Sequence, residues 1–224
     1  MSIFRKKSKD DKSDTPPARI NFPKGNTEVR RTGTIVVSKG KVFDGKMARY
    51  QFSGIGDGSQ KENQKPAFIL HAGAILRNVV LAAPAGDGVH CFGSCRLENV
   101  WWDDVGEDAL TVRKKGKVQV IGGGARSAAD KVFQLNAPGG FELIDFYAEG
   151  FQRLIRTNGG KNSKDHPYRI AVKGLVAYYG RTIVKSTNSK TRATVSDSDL
   201  VKIRAPFIAE NGARITEKRN RNYS

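Results

Sequence analysis

The sequence predicts an all-β, single-domain parallel β-helix, and three observations carry that prediction. An apolar residue is followed two positions on by Asn, Asp or Gly at Leu76/Asn78, Leu97/Asn99, Val120/Gly122, Leu143/Asp145, Val172/Gly174 and Val195/Asp197, with steps of 21, 23, 23, 29 and 23 residues between the anchors. A period of about 20 to 30 residues built from short apolar runs and turn residues marks a solenoid, each coil stacking on the last. A second apolar run follows each of the first five anchors, at 88–91, 109–112, 132–135, 154–156 and 182–185. No segment sustains a 3.6-residue pattern, and 24 glycines suit a turn-rich chain.

Along the chain, residues 1–30 read as a basic leader and entry segment, 31–215 as the solenoid and 216–224 as a basic tail. The first 31 residues hold nine Lys/Arg against four Asp/Glu, with Pro16-Pro17 and hardly any apolar pattern, so Met1–Arg19 is expected to be disordered. Its basic start has no apolar stretch behind it, so as it stands it is no secretory signal. The remaining chain keeps 30 basic and 18 acidic residues out of a total net charge of +17, which predicts a polyanionic partner. No helix-turn-helix, zinc finger or RNP motif is present, and the cations are not interleaved with aromatics, so an anionic polysaccharide is expected rather than nucleic acid. No apolar run approaches about 20 residues, so no membrane span is expected.

Against this basic background, the stretch from Pro84 to Leu110 gathers Asp87, Asp103, Asp104, Glu107 and Asp108. Carboxylate oxygens at loop and strand ends are what a hard cation such as Ca²⁺ selects; otherwise the stretch is a solvated acidic turn. The repeat favours a site. Nine residues on from Asn78, Asn99 and Gly122 stand Asp87, Asp108 and Lys131, and eleven on from Asp145 stands Arg156. Equivalent positions in successive coils stack about 4.8 Å apart, so two carboxylates and two cations are expected on one face within about 15 Å. Cys91 and Cys95 flank Phe92-Gly93-Ser94, and a loop of that length permits a disulfide. A zinc site there lacks two further ligands, although His90 is adjacent, so the bridge is the expected state. Gly122-Gly123-Gly124 reads as a turn between strands, since no Gly-Lys-Ser/Thr follows. Trp101 and Trp102 alternate on a strand; one is expected inside, the other at the rim or against a sugar ring.

Several blocks then carry a family resemblance: Gly40-Lys41-Val42-Phe43-Asp44-Gly45, Gly56-Asp57-Gly58-Ser59-Gln60, Glu62-Asn63-Gln64-Lys65-Pro66 and Ala83-Pro84-Ala85-Gly86-Asp87-Gly88-Val89-His90-Cys91. Glu98-Asn99-Val100-Trp101-Trp102, Asp104-Val105-Gly106-Glu107-Asp108-Ala109 and Ala129-Asp130-Lys131-Val132-Phe133-Gln134 continue it. From about Thr34 to Gly160 the chain resembles the small pectate lyases of polysaccharide lyase family 3. That resemblance implies a right-handed parallel β-helix, secreted and monomeric, which cleaves polygalacturonate by calcium-dependent β-elimination to 4,5-unsaturated products. It implies calcium at Asp87, Glu107 and Asp108 with Asp104 close by, catalytic Lys131 and Arg156, and substrate contacts at Glu62, Arg113 and Arg153. Arg153 stands where the family often has Lys, and Arg126-Ser127-Ala128-Ala129 lies where relatives commonly carry a lysine.

The chemistry explains these residue types. Elimination removes the C5 proton of a galacturonate whose neighbouring carboxylate already carries a charge, so the developing enolate needs cations around it. A neutral lysine of lowered pKa takes that proton more readily than an arginine, which stays charged at ordinary pH. Lys131 is therefore expected as base and Arg156 as carboxylate clamp, with the exchange of these roles left open and an alkaline optimum expected. Two other classes compete on the same fold. A non-catalytic pectate-binding module needs no base, and a glycoside hydrolase needs two flanking carboxyl groups and leaves no double bond.

Overall fold

In a computed structural model, which describes residues 14–57, 59, 61, 64–158 and 166–224, the expected parallel β-helix is formed by 19 strands in one continuous sheet. The strands build three stacks. One runs Ile35–Val37, Phe68–His71, Val89–Phe92, Asp108–Lys114, 131–135, 153–157, 182–186 and Phe207–Ala209. The second runs from 42–44 through Gly116–Ile121 and Gly139–Ile144 to Arg214–Lys218. The third opens with Glu28–Thr32 on 49–53 and continues through 79–81, 100–102, 124–126, 147–149, 176–178 and Asp199–Val201 to Arg221–Tyr223. The last two strands thus extend the solenoid into residues expected as a tail.

The anchors read from the sequence are the corner between the second and third stacks. Asn78 and Asn99 have φ of 53°, Gly122 64°, Asp145 50°, Gly174 68° and Asp197 53°. Only Gly, and next Asn and Asp, enter this left-handed region at low cost, so a corner repeated once per coil writes itself into the sequence as those residue types. The Asn side chains also link the coils, Asn99 Nδ2 donating to Asn78 Oδ1 at 3.0 Å and Asn78 Nδ2 to Asp44 Oδ1 at 3.1 Å.

The interior is filled by stacked apolar side chains, with an aromatic cluster among them. Phe133 is fully buried and meets Phe141 and Phe146 at 5.3 Å and Trp102 at 6.3 Å between ring centroids. Phe133→Ala is expected to cost about 3–5 kcal/mol of stability, because neighbouring coils cannot close over the vacated volume. Urea unfolding measures this, and a loss below 1 kcal/mol (order of magnitude) would mean that the solenoid collapses freely.

Trp102 is the inward member of the tryptophan pair. Trp101 points outward on the third stack but is only 2 % exposed, because Phe22 packs edge-on against it at 5.2 Å and its Nε1 donates to Asn99 Oδ1 at 2.7 Å. No ring face is left there for a sugar. The entry segment continues along this outer face: Tyr178 Oη donates to the carbonyl of Pro17, and Arg19 pairs with Glu149.

Candidate active site

The outer face of the first stack carries the charged residues singled out in the sequence, in two columns. Register sets Asp108 opposite Lys131, Lys131 opposite Arg153, and Arg153 opposite Thr182. Val89 pairs with Leu110, so Asp87 lies at the level of Asp108 in the preceding coil. Three residues along each strand, His90, Thr111, Gln134, Arg156 and Lys185 form the second column. The columns are tied together by Asp87 Oδ2 with His90 Nε2 at 2.6 Å and by Thr111 Oγ1 donating to Asp108 Oδ2 at 3.2 Å.

This corrects the expected stacking of Arg156 on Lys131. Arg156 shares the face but pairs with Gln134, and the cation stacked on Lys131 is Arg153. The count takes nine residues from three anchors and eleven from Asp145, whereas the irregularity between Ala128 and Lys131 shortens the matching distance, so the residue level with Lys131 is Arg153.

Burial makes these charges interact strongly. Asp87, Glu107, Asp108 and Lys131 are all at most 7 % exposed. Burial, with the Asp87 charge adding to it and Lys131 and Thr111 opposing, pushes the Asp108 carboxyl up to about 8. At Lys131 burial favours the neutral amine, yet the hydrogen bond to Asp130 and the charge of Asp108 outweigh it and raise the pKa. Lys131 Nζ lies 2.5 Å from Asp130 Oδ2 and 3.4 Å from Asp108 Oδ1, and Arg153 Nη1 reaches the other Asp130 oxygen. The lowered pKa expected of a base is therefore not what these neighbours produce. Asp130, which bridges Lys131 and Arg153, was not singled out from the sequence; its place beside Lys131 in Ala129-Asp130-Lys131 was the available signal.

The other expected residues fall at different distances from this centre. Asp104 sits at the preceding corner, exposed, where burial and Asp103 raise its carboxyl pKa and Arg126 lowers it. It lines a shallow cavity with Asp103, Arg126, Ser127, Glu149 and Tyr179. Arg113 is exposed two residues beyond Thr111 on the same strand. Glu62 lies outside the described residues.

Two buried acids at adjacent levels fit a hard cation. Among the described residues Asp87 Oδ1 has no hydrogen-bond partner, and Asp108 Oδ1 meets only Lys131 Nζ at a long 3.4 Å. Burial and mutual repulsion oppose ionising both acids, and a divalent ion with oxygen-donor preference would stabilise the charged pair. Among the described residues no three His, Cys, Asp or Glu side chains converge on one point, so Asp87 and Asp108 supply only part of a coordination shell. Waters and substrate oxygens commonly complete such shells around calcium.

The cysteines depart from expectation. Cys91 and Cys95 are buried free thiols, not a disulfide. Both face the interior, the Cys95 thiol donating to the carbonyls of Leu70 at 3.5 Å and Gly93 at 3.7 Å. Burial, then the neighbouring Cys95, raises the Cys91 thiol well above its ordinary value, so the unreactive thiol form dominates. Alkylation is expected to modify neither cysteine in the native protein and both after unfolding. An intact mass two hydrogens short of the reduced chain would restore the bridge.

Comparison with known proteins now bears on this arrangement. Residues 19–214 match the family model described as pectate lyase. The chain is 37 % identical over 183 residues to a probable pectate lyase E of Neosartorya fischeri, covering 80 % of this chain and 71 % of that protein. It is 40 % identical over 158 residues to a probable pectate lyase F of Aspergillus fumigatus, covering 68 % and 67 % respectively. Among solved structures, pectate lyase Pel3 of Pectobacterium carotovorum superposes with a TM-score of 0.65 at 25 % identity, over 84 % of this chain and 59 % of that one. PelI of Erwinia chrysanthemi, solved in complex with tetragalacturonic acid, superposes with a TM-score of 0.63 at 24 % identity, over 86 % of this chain and 62 % of that one, a likeness of fold.

Proposed function

The chain belongs to the pectate lyase family, and on that premise we propose that it cleaves polygalacturonate by calcium-dependent β-elimination at the face holding Asp87, Asp108, Lys131, Arg153 and Arg156. The single observation that carries the reading is the register that sets a buried carboxylate pair beside a buried lysine and two arginines on one strand face. Acidic residues alone would attract a cation, and basic residues alone a polyanion; elimination next to a carboxylate needs both.

Asp87 and Asp108 are the residues that would hold calcium, with water and substrate oxygens completing the shell, and the ion would supply positive charge to the substrate carboxylate and so acidify C5. Lys131 Nζ, once neutral, removes the C5 proton. The electron pair of that bond forms the C4–C5 double bond, the C4–O glycosidic bond breaks, and the departing oxygen is protonated from solvent. Arg156 binds the C6 carboxylate as a two-pronged donor and holds C5 toward Lys131. Arg153, anchored by Asp130, adds a fixed positive charge beside the reacting carbons. All of these residues come from one chain, which supports action as a monomer, and the substrate class supports action outside the cell.

The test is ultraviolet absorbance of the unsaturated product during incubation with polygalacturonate, with calcium and with a chelator. Absorbance that rises only with calcium supports the proposal. New reducing ends without absorbance point to a hydrolase.

A further inference from the structure

We propose that the corner on the coils following Arg153 is a second carboxylate-binding subsite, in which Arg181, Lys202 and Arg204 surround Tyr179 and hold a uronate of the polymer distant from the bond being cleaved. The proposal rests on the polygalacturonate reading given above.

The first observation is shape and charge. A cavity of about 510 Å³ is lined by Gln152, Tyr179, Arg181, Lys202 and Arg204, with the chain's last residue, Ser224, at its edge, and no acidic side chain lines it. Several arginines elsewhere on the solenoid are paired, Arg49 and Arg126 with Asp103, Arg153 with Asp130, Arg219 with Asp197 and Arg221 with Asp199. Among the described residues no ion pair reaches Arg181, Lys202 or Arg204, although Arg181 and Arg204 are level on neighbouring strands. Val184 pairs with Phe207, which sets Arg181 level with Arg204, and the amide of Ala205 donates to the carbonyl of Arg181 at 2.8 Å. Like charges directly opposite on neighbouring strands are destabilising. The corner therefore presents concentrated positive charge that an anionic ligand would answer.

The second observation is the backbone. Tyr179 and Lys202 occupy the same corner position in successive coils, with φ of 54° and 53°. A bulky residue in the left-handed region is strained, and strain of that kind is held where a side chain must be aimed. Tyr179 is one of few large apolar side chains left open, at 46 % exposure, and the Lys202 ammonium lies 5.7 Å from its ring centroid. A half-exposed aromatic ring flanked by Lys202 and Arg19 suits a sugar acid, whose ring carbons pack on its free edge while its carboxylate meets the charge.

The third observation is alignment. Lys131, Arg153 and Thr182 form one column, and Arg181 immediately precedes Thr182. At about 4.8 Å per coil, Arg181 lies about 10 Å and Arg204 about 14 Å beyond Lys131 along the solenoid axis. A chain of uronates running along the first stack passes from one to the other.

The experiment compares the wild type with Arg181→Gln/Arg204→Gln. Calorimetry in chelator follows binding of trigalacturonate and octagalacturonate, and kcat/KM is measured on both with calcium. The expected result is a 10- to 100-fold loss of affinity and a matching rise in KM for the octamer, the range for one or two charge-assisted contacts, with kcat and all trimer parameters unchanged. Lys202→Gln, a change at an exposed side chain, is expected to lose several-fold on the octamer alone and carries the test if the double variant misfolds. Octamer affinity equal in variants and wild type, equal losses on trimer and octamer, or equally tight wild-type binding of a single-stranded oligonucleotide would each overturn the subsite. Octamer binding that weakens in the variants while the wild type forms no unsaturated product would keep the subsite and remove the lyase reading. Product formation with KM unmoved by the substitutions would do the reverse.

Discussion

Lys131→Ala is expected to reduce formation of the unsaturated product by about 10²- to 10⁴-fold, the loss that follows removal of a positioned general base. The residue is 7 % exposed, and its amine sits between Asp130 and Asp108, so truncation also leaves those acids facing each other. Loss of activity alone would therefore not separate a base from an ion-pair partner. Lys131→Arg makes the separation. The guanidinium keeps the charge and the pairing but stays protonated at working pH. It is expected to bind polygalacturonate as the wild type does and to remain at least 100-fold slow, on the same scale of general-base loss. Near-wild-type turnover by Lys131→Arg would move the base elsewhere, with Arg153 and Arg156 the next residues to replace. Retained pectate binding with no turnover even in the wild type would leave a wall-binding module.

The solenoid was legible in the sequence because its most demanding backbone position recurs. A left-handed corner admits few residue types, so Asn78, Asn99, Gly122, Asp145, Gly174 and Asp197 advertise both the period and the turn. The corner between the third and first stacks is left-handed too, at Ser127, Gly150, Tyr179 and Lys202, yet its residues share no type and give no pattern to count. That corner leads into the catalytic face, and the count lost its register there: Arg156 was taken for the neighbour of Lys131 where Arg153 stands. Pairing between side chains left even less trace. Nothing in the local sequence distinguishes Asp130 from any other acid beside a lysine, and its role appears only when the next coil brings Arg153 to it. Phe22 covering Trp101 is a contact between distant segments that no periodicity foretells.

Calcium is expected to raise the thermal unfolding midpoint of the wild type and to leave Asp87→Asn/Asp108→Asn almost unmoved. An ion bound only by the folded state at about 100 times its Kd adds about 2.7 kcal/mol. For a chain of this size that corresponds to about 5–10 °C. The sign in chelator is the sharper part of the expectation. Asp87 and Asp108 are buried next to each other, and ionising both costs stability when no cation answers them. Replacing both by neutral amides of the same size relieves that cost, while Lys131 keeps Asp130 as its partner. The double variant is therefore expected to melt no lower than the wild type in chelator, and below it in calcium. Magnesium, which demands a tighter and more regular shell, is expected to stabilise the wild type less. A double variant that is already destabilised in chelator would show that the two carboxylates serve the fold through His90 and Thr111. One that is stabilised by calcium as much as the wild type would place the ion at other oxygens. Only the crossing of the two orders of stability ties both carboxylates to the cation and, through the register they share with Lys131, to the proton at C5.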